Sequence, residues 1–75
     1  MPLVNVKVIE GVFTTAQKQE MVRKLTDAMV AVGGQKLRPF VYVIVEDVNS
    51  GEWGIGGKPI TTEHVQEVTA DMATT

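Results

Sequence analysis

The stretch MPLVNVKVIEG, residues 1–11, governs how the rest of the chain is read. Residues 3–9 alternate. Val4, Val6 and Val8 share one face, and Leu3, Asn5, Lys7 and Ile9 share the other. A period of 2 carrying three valines reads as a strand, and Gly11 ends it. Pro2 stands directly before the alternation. Proline lacks the N–H that a central ladder position needs, but the first residue of a strand tolerates it. A start methionine followed by a small residue is usually removed, and removal leaves Pro2 with a free secondary amine. Pro2 is therefore either an inert strand start or a reactive group.

Outward from that strand, Thr14 and Gln17 match the capping box S/T-x-x-E/Q. Met21, Val22, Leu25, Ala28, Met29 and Val32 then recur with the 3.6-residue period of an amphipathic helix. Gly33-Gly34 closes it, glycine being common just past a helix end. FVYVIVEDV, residues 40–48, is apolar nearly throughout, as suits a strand covered on both faces. Arg38-Pro39 is expected to hold the chain extended ahead of it. Strand, helix and strand at this spacing make a β-α-β unit, with parallel strands and a right-handed crossover. NSGEWGIGGKPI, residues 49–60, has the chemistry of turns and a short hairpin. Thr61 or Thr62 caps a last short helix carrying Val65, Val68 and Met72, and the closing MATT is expected to fray. The expected class is α+β, in one domain over residues 1–75.

Size bears on assembly. A chain of 75 residues buries only about 60% of the surface its unfolded form exposes. Small domains are commonly stapled by disulfides, metal or oligomerisation. There is no cysteine, and a lone histidine, His64, does not make a zinc site of the usual ligand count. Self-association remains. The topology agrees, because one helix covers one face of a two-stranded sheet and the apolar second strand asks for cover on the other. The net charge is −2, and the five lysines and two arginines are scattered. That argues against a nucleic-acid groove. No apolar run approaches the ~20 residues of a membrane span, and the N-terminus lacks a signal-peptide pattern. A cytoplasmic protein without nucleic-acid or membrane partners is expected. GIGG, residues 54–57, lacks the Lys-Ser/Thr of a phosphate-binding loop.

Pro2 behind Met1, VKVIEG, TTAQKQEMVRKLTDAM, VYVIVED and GEWGIGG occur in an order that resembles the 4-oxalocrotonate tautomerase family. The resemblance covers roughly residues 2–57. It implies a β-α-β protomer with a terminal hairpin, two of which form a four-stranded sheet. It implies a homohexamer built as a trimer of dimers, with a dimer or a trimer as simpler options. It further implies catalysis by the amino-terminal proline, here Pro2, as general base or acid on small keto and enol acids, with no cofactor and no metal.

The chain departs from the family at two points. The best-known members carry an arginine directly after Glu-Gly, where this chain has Val12. They carry a second arginine early in the second strand; counted back from GIGG without gaps, that position is Tyr42. Both cations that bind substrate carboxylates are thus replaced. The aromatic residue before GIGG, phenylalanine in the type member, is Trp53. Tyr42 can donate a hydrogen bond to a carbonyl or carboxylate but cannot form the bidentate pair of arginine; it is otherwise an interface tyrosine. Trp53 lines a pocket or seals an interface. Arg38, close in sequence to the second missing arginine, either reaches a neighbouring site or is solvated. A free α-amine titrates near about 8, and apolar surroundings lower such a value toward that of a useful base. The expectation is a tautomerase that takes a monoacid or an aryl-pyruvate rather than a dicarboxylate. The alternatives are a non-catalytic member of the fold, a subunit of a hetero-oligomer whose partner supplies the arginines, and a hydratase or dehalogenase relative.

Overall fold

In the computed structural model, β1 spans Leu3–Ile9 and β2 spans Tyr42–Val48, and the two pair in one sheet. Tyr42 N–H donates to the Pro2 carbonyl at 3.0 Å, and Glu10 N–H donates to the Val48 carbonyl at 2.8 Å. The partners advance together along both strands, so the pairing is parallel, as the β-α-β reading requires. Residues 1–73 are described, with the backbone alone for residues 70–73. Thr74 and Thr75, half of the stretch expected to fray, and the side chain of Met72 lie outside the described residues.

Between the strands, α1 spans Thr15–Gly33. Its start is the capping box in both halves: Gln17 N–H donates to Thr14 Oγ1 at 3.1 Å, and Thr14 N–H donates to Gln17 Oε1 at 2.8 Å. Two donors that a bare helix start leaves unpaired are thereby satisfied. At the other end Gly34 adopts φ 96° and its N–H donates to the Val30 carbonyl at 2.7 Å. The inward face of α1 differs from the expected stripe. Met21, Leu25 and Met29 are half-buried as expected, but Val30 is the buried residue, while Val22, Ala28 and Val32 are exposed. The face is rotated toward Thr26 and Val30, and Val32, in the last turn, is 87% exposed.

The segment after α1 corrects the sequence reading. Gln35–Phe40 forms a 3₁₀ helix with Arg38 and Pro39 inside it, instead of an extended lead-in. Leu37 N–H donates to the Gly34 carbonyl at 3.0 Å, and Val41 N–H donates to the Arg38 carbonyl at 3.3 Å. The Leu37 side chain folds back over Gly33, where an added Cβ would sit 2.5 Å from Leu37 Cδ2. The half-buried Leu37 and the i to i+3 hydrogen bonds go with a tight turn, against the usual preference of the residue before proline.

β3, Trp53–Ile55, and β4, Lys58–Ile60, form an antiparallel hairpin with Trp53 opposite Ile60. Its two-residue turn, Gly56-Gly57, has φ 59° and 84°; positive φ at both central positions is the type I′ pattern that matches strand twist. α2, Thr62–Ala73, follows. Thr61 is its cap, accepting the His64 N–H at 3.1 Å through Oγ1, which frees Thr62 for another role. The fold is α+β: a β-α-β unit, a short hairpin and a terminal helix. Two compact units are drawn from discontinuous stretches. The first is Met1–Lys7 with Thr14–Glu46; the second is Val8–Phe13 with the chain from Asp47 onward. Val30 is the buried residue of the first unit, and Val8 and Ile9 are those of the second, among the described residues. Each such side chain contributes about 1.5–3 kcal/mol.

Candidate active site

Pro2 lies at the mouth of β1, half-buried, with its carbonyl taken by the Tyr42 N–H at 3.0 Å. That single ladder bond places the first residues of both strands side by side. Residues of one strand face alternate by two, so Tyr42, Ile44 and Glu46 of β2 share a face, as do Leu3, Asn5 and Lys7 of β1. All six are exposed, whereas Val4, Val6, Val43 and Val45 are half-buried. The apolar members of the open set are large: Leu3 is 58% exposed and Tyr42 55%. The second strand is therefore open on one side in the isolated chain.

The polar members of the open set are joined to one another. Asn5 Nδ2 donates to Glu46 Oε1 at 2.7 Å, and Lys7 Nζ lies 3.5 Å from Glu46 Oε2. The Asn5 amide first, and the Lys7 ammonium after it, hold the Glu46 carboxyl below its ordinary value of 4.5. The sequence contained a sign of this group, since Glu46 interrupts an apolar run and Asn5 and Lys7 share one strand face. Their pairing depends on the register of the two strands, which the sequence does not state.

Arg38 is committed locally. Its Nη2 lies 2.9 Å from Asp27 Oδ1 and its Nε donates to Gln35 Oε1 at 3.3 Å. The guanidinium is thus held by α1 and the 3₁₀ turn within the first unit, and a ligand would have to compete with Asp27 for it. Pro2, Tyr42 and Arg38 all belong to the first unit; Val12 and Trp53, both half-buried, belong to the second. Val12 sits in the turn after β1 and Trp53 opens β3.

In the second unit, three residues far apart in sequence make a hydrogen-bonded ring. Ser50 N–H donates to Glu10 Oε1 at 2.9 Å, Thr62 N–H donates to Ser50 Oγ at 2.9 Å, and Thr62 Oγ1 donates to the Glu10 carbonyl at 2.6 Å. Gln66 Nε2 approaches the Gly11 carbonyl at 3.4 Å. No spacing in the sequence signals this ring.

A parallel β-α-β unit opened by proline, with a glycine hairpin after it, is the arrangement of a small tautomerase. Comparison with known proteins agrees. Residues 2–63 match the family model Tautomerase, described as tautomerase enzyme. A probable tautomerase of Dickeya dadantii is 32% identical over 66 residues, spanning 88% of this chain and 97% of the relative. A probable tautomerase of Ralstonia nicotianae is 41% identical over 59 residues, spanning 79% and 81%. Among solved structures, DmpI from Helicobacter pylori superposes with a TM-score of 0.69 at 31% identity, covering 79% of this chain and 95% of that one. A 4-oxalocrotonate tautomerase homologue gives 0.66 at 30% identity, covering 79% and 90%. The chain belongs to the 4-oxalocrotonate tautomerase family. That membership supports tautomerase activity, the interconversion of keto and enol forms, and so an isomerase.

Proposed function

We propose that the chain works as one tautomerase-like domain over residues 1–75 and, once Met1 is cleaved, moves a proton between the enol and keto forms of a small acid with Pro2. The observation that carries the reading is the place of Pro2, half-buried at the head of β1 and one ladder bond from Tyr42. Met1 is 78% exposed, and the residue behind it, Pro2, is small, the pattern on which start methionines are usually removed. The freed, neutral amine of Pro2 accepts the proton of an enol hydroxyl. The resulting ammonium returns a proton to the neighbouring carbon: the C–O bond becomes C=O, the C=C bond becomes C–C, and its π electrons form the new C–H bond. The pyrrolidine ring fixes the direction of the lone pair, which favours a single line of transfer.

Tyr42, 55% exposed, offers a hydroxyl to the substrate's carboxylate or carbonyl. Val12 and Trp53 contribute apolar side chains to substrate recognition. Arg38 is the weakest of the substrate-binding candidates, because Asp27 already holds it. With valine and tyrosine where the family's cations stand, the substrate class is a monoacid of the aryl-pyruvate type. Self-association, as a homohexamer built from dimers, is supported by the apolar side chains that the isolated chain leaves in water: Leu3, Ile44, Phe40 and Ile55 among them. The compartment is the cytoplasm; no helix among the described residues is long and apolar enough to cross a membrane.

The test is ketonisation of phenylenolpyruvate, followed by ultraviolet absorbance, with protein whose Met1 removal is confirmed by mass. Pro2→Ala should lower kcat/KM at least tenfold, about 1.4 kcal/mol of barrier. Equal turnover in both proteins, or none in either, would move the chain to a binding role or to a hetero-oligomer that completes the site.

A further inference from the structure

The ring Glu10–Ser50–Thr62 lies outside the chemistry assigned to Pro2, yet it holds the two segments that carry Val12 and Trp53. Glu10 immediately precedes Gly11, which takes φ +79° and opens the turn on which Val12 stands. Ser50 begins the turn that leads into β3, where Gly51 N–H donates to the Ile60 carbonyl and Glu52 N–H to the Asn49 carbonyl, both at 3.0 Å. Thr62 joins the two segments through its backbone N–H and its hydroxyl together. It also packs against the turn: a Cβ at Gly11 would meet Thr62 Cγ2 at 3.1 Å. Thr62 opens α2, most of which lies past the residues that match the family model.

We propose that Thr62, through this ring, is a positioning residue that fixes Val12 and Trp53, two apolar side chains of the second unit, for contact with the substrate, and so bears on selectivity. The inference rests on the tautomerase reading for its link to turnover. The physical argument is one of pre-organisation. A turn held by two side-chain hydrogen bonds and a packed methyl has little freedom left to lose when a ligand binds, and binding is stronger for that reason. Val12 and Trp53 make no charge-assisted contact, so their part in recognition depends on shape, which a loose turn does not supply.

Thr62→Val keeps the packed methyl and removes the hydroxyl; Thr62→Ser keeps the hydroxyl. For phenylenolpyruvate, Thr62→Val should raise KM at least fivefold with kcat within twofold, the pattern of lost ground-state and transition-state binding alike. Thr62→Ser should return KM to within twofold of the parent. Binding of phenylpyruvate, followed by the Val12 methyl and Trp53 indole resonances, should weaken and recover in parallel. That second readout needs no turnover. If Pro2→Ala leaves ketonisation untouched while the affinity pattern holds, the catalytic reading falls and the positioning role stands. If Thr62→Val does not fold, Ser50→Ala opens the ring at its other hydroxyl and should weaken binding at least threefold. Affinity and KM within twofold of the parent in a folded ring variant would overturn the proposal. So would saturation without movement of the Val12 and Trp53 signals, or no phenylpyruvate binding by the parent protein.

Discussion

The two ends of β1 are built differently. At its start, Leu3 is 58% exposed, and Pro2 is tied to its neighbour by a backbone bond that leaves the side chains uncommitted. At its end, Val8 and Ile9 are 7% and 6% exposed, and the next residue, Glu10, is bound through its N–H, its carbonyl and its carboxylate. One end of the strand is closed by packing and by a side-chain ring. The other is left available. A reactive amine needs access and a defined direction; a turn that shapes a binding surface needs to be held still. The alternation of this seven-residue strand ends in two consecutive buried residues, Val8 and Ile9, and that is where its two ends part.

The largest effect that would test this contrast is at the closed end. Ile9→Ala should destabilise the protein by about 2–5 kcal/mol in urea unfolding, as large-to-small changes at buried sites do. A loss below about 1 kcal/mol would mean that this end is not packed in solution. Next in size is Gly11→Ala. It places a side chain in the left-handed region, which costs about 1–2 kcal/mol, and crowds Thr62 at 3.1 Å; thermal unfolding measures it. At the open end, Leu3→Ala should stay within about 0.5 kcal/mol for the isolated chain, as exposed positions do. A larger loss that grows with protein concentration would show Leu3 to be covered in a self-assembly, and sedimentation would identify the species.

The smallest effect concerns Glu46. Its folded-state pKa is lowered, so its contribution to stability is present above the ordinary value of 4.5 and is lost as pH falls through the lower folded value. Glu46→Gln should therefore differ from the parent at neutral pH and converge with it in acid. The difference should shrink in salt, because the group lies at the surface. A difference that widens in acid would contradict the Asn5–Glu46–Lys7 arrangement.

Much of this fold was legible in the amino-acid sequence, for local reasons. Thr14 and Gln17 cap a helix three residues apart, Gly33-Gly34 ends it, and Gly56-Gly57 permits a turn that other residues would strain. Each signal operates within a few residues of its effect. What was not legible depended on side-chain packing or on contacts between distant residues. With Leu37 folded over Gly33, Gln35–Phe40 is a 3₁₀ helix against the preference of Arg38-Pro39. The buried face of α1 turned toward Val30 because helical period sets the spacing of a stripe better than its edges. Of the candidate site, the sequence singles out Pro2 and Tyr42 one by one, and their adjacency follows from parallel pairing. The ring was not readable, since Glu10 and Ser50 are 40 residues apart and nothing in either neighbourhood requires the other.

The central claim is that the Pro2 nitrogen works as an amine. It is tested most directly by one comparison at that atom: phenylenolpyruvate ketonisation by the Met1-free chain and by the same chain with Met1 retained. In the second form the nitrogen is an amide without usable basicity. The account predicts that only the Met1-free chain turns over, by at least tenfold. Equal turnover by both forms would contradict it.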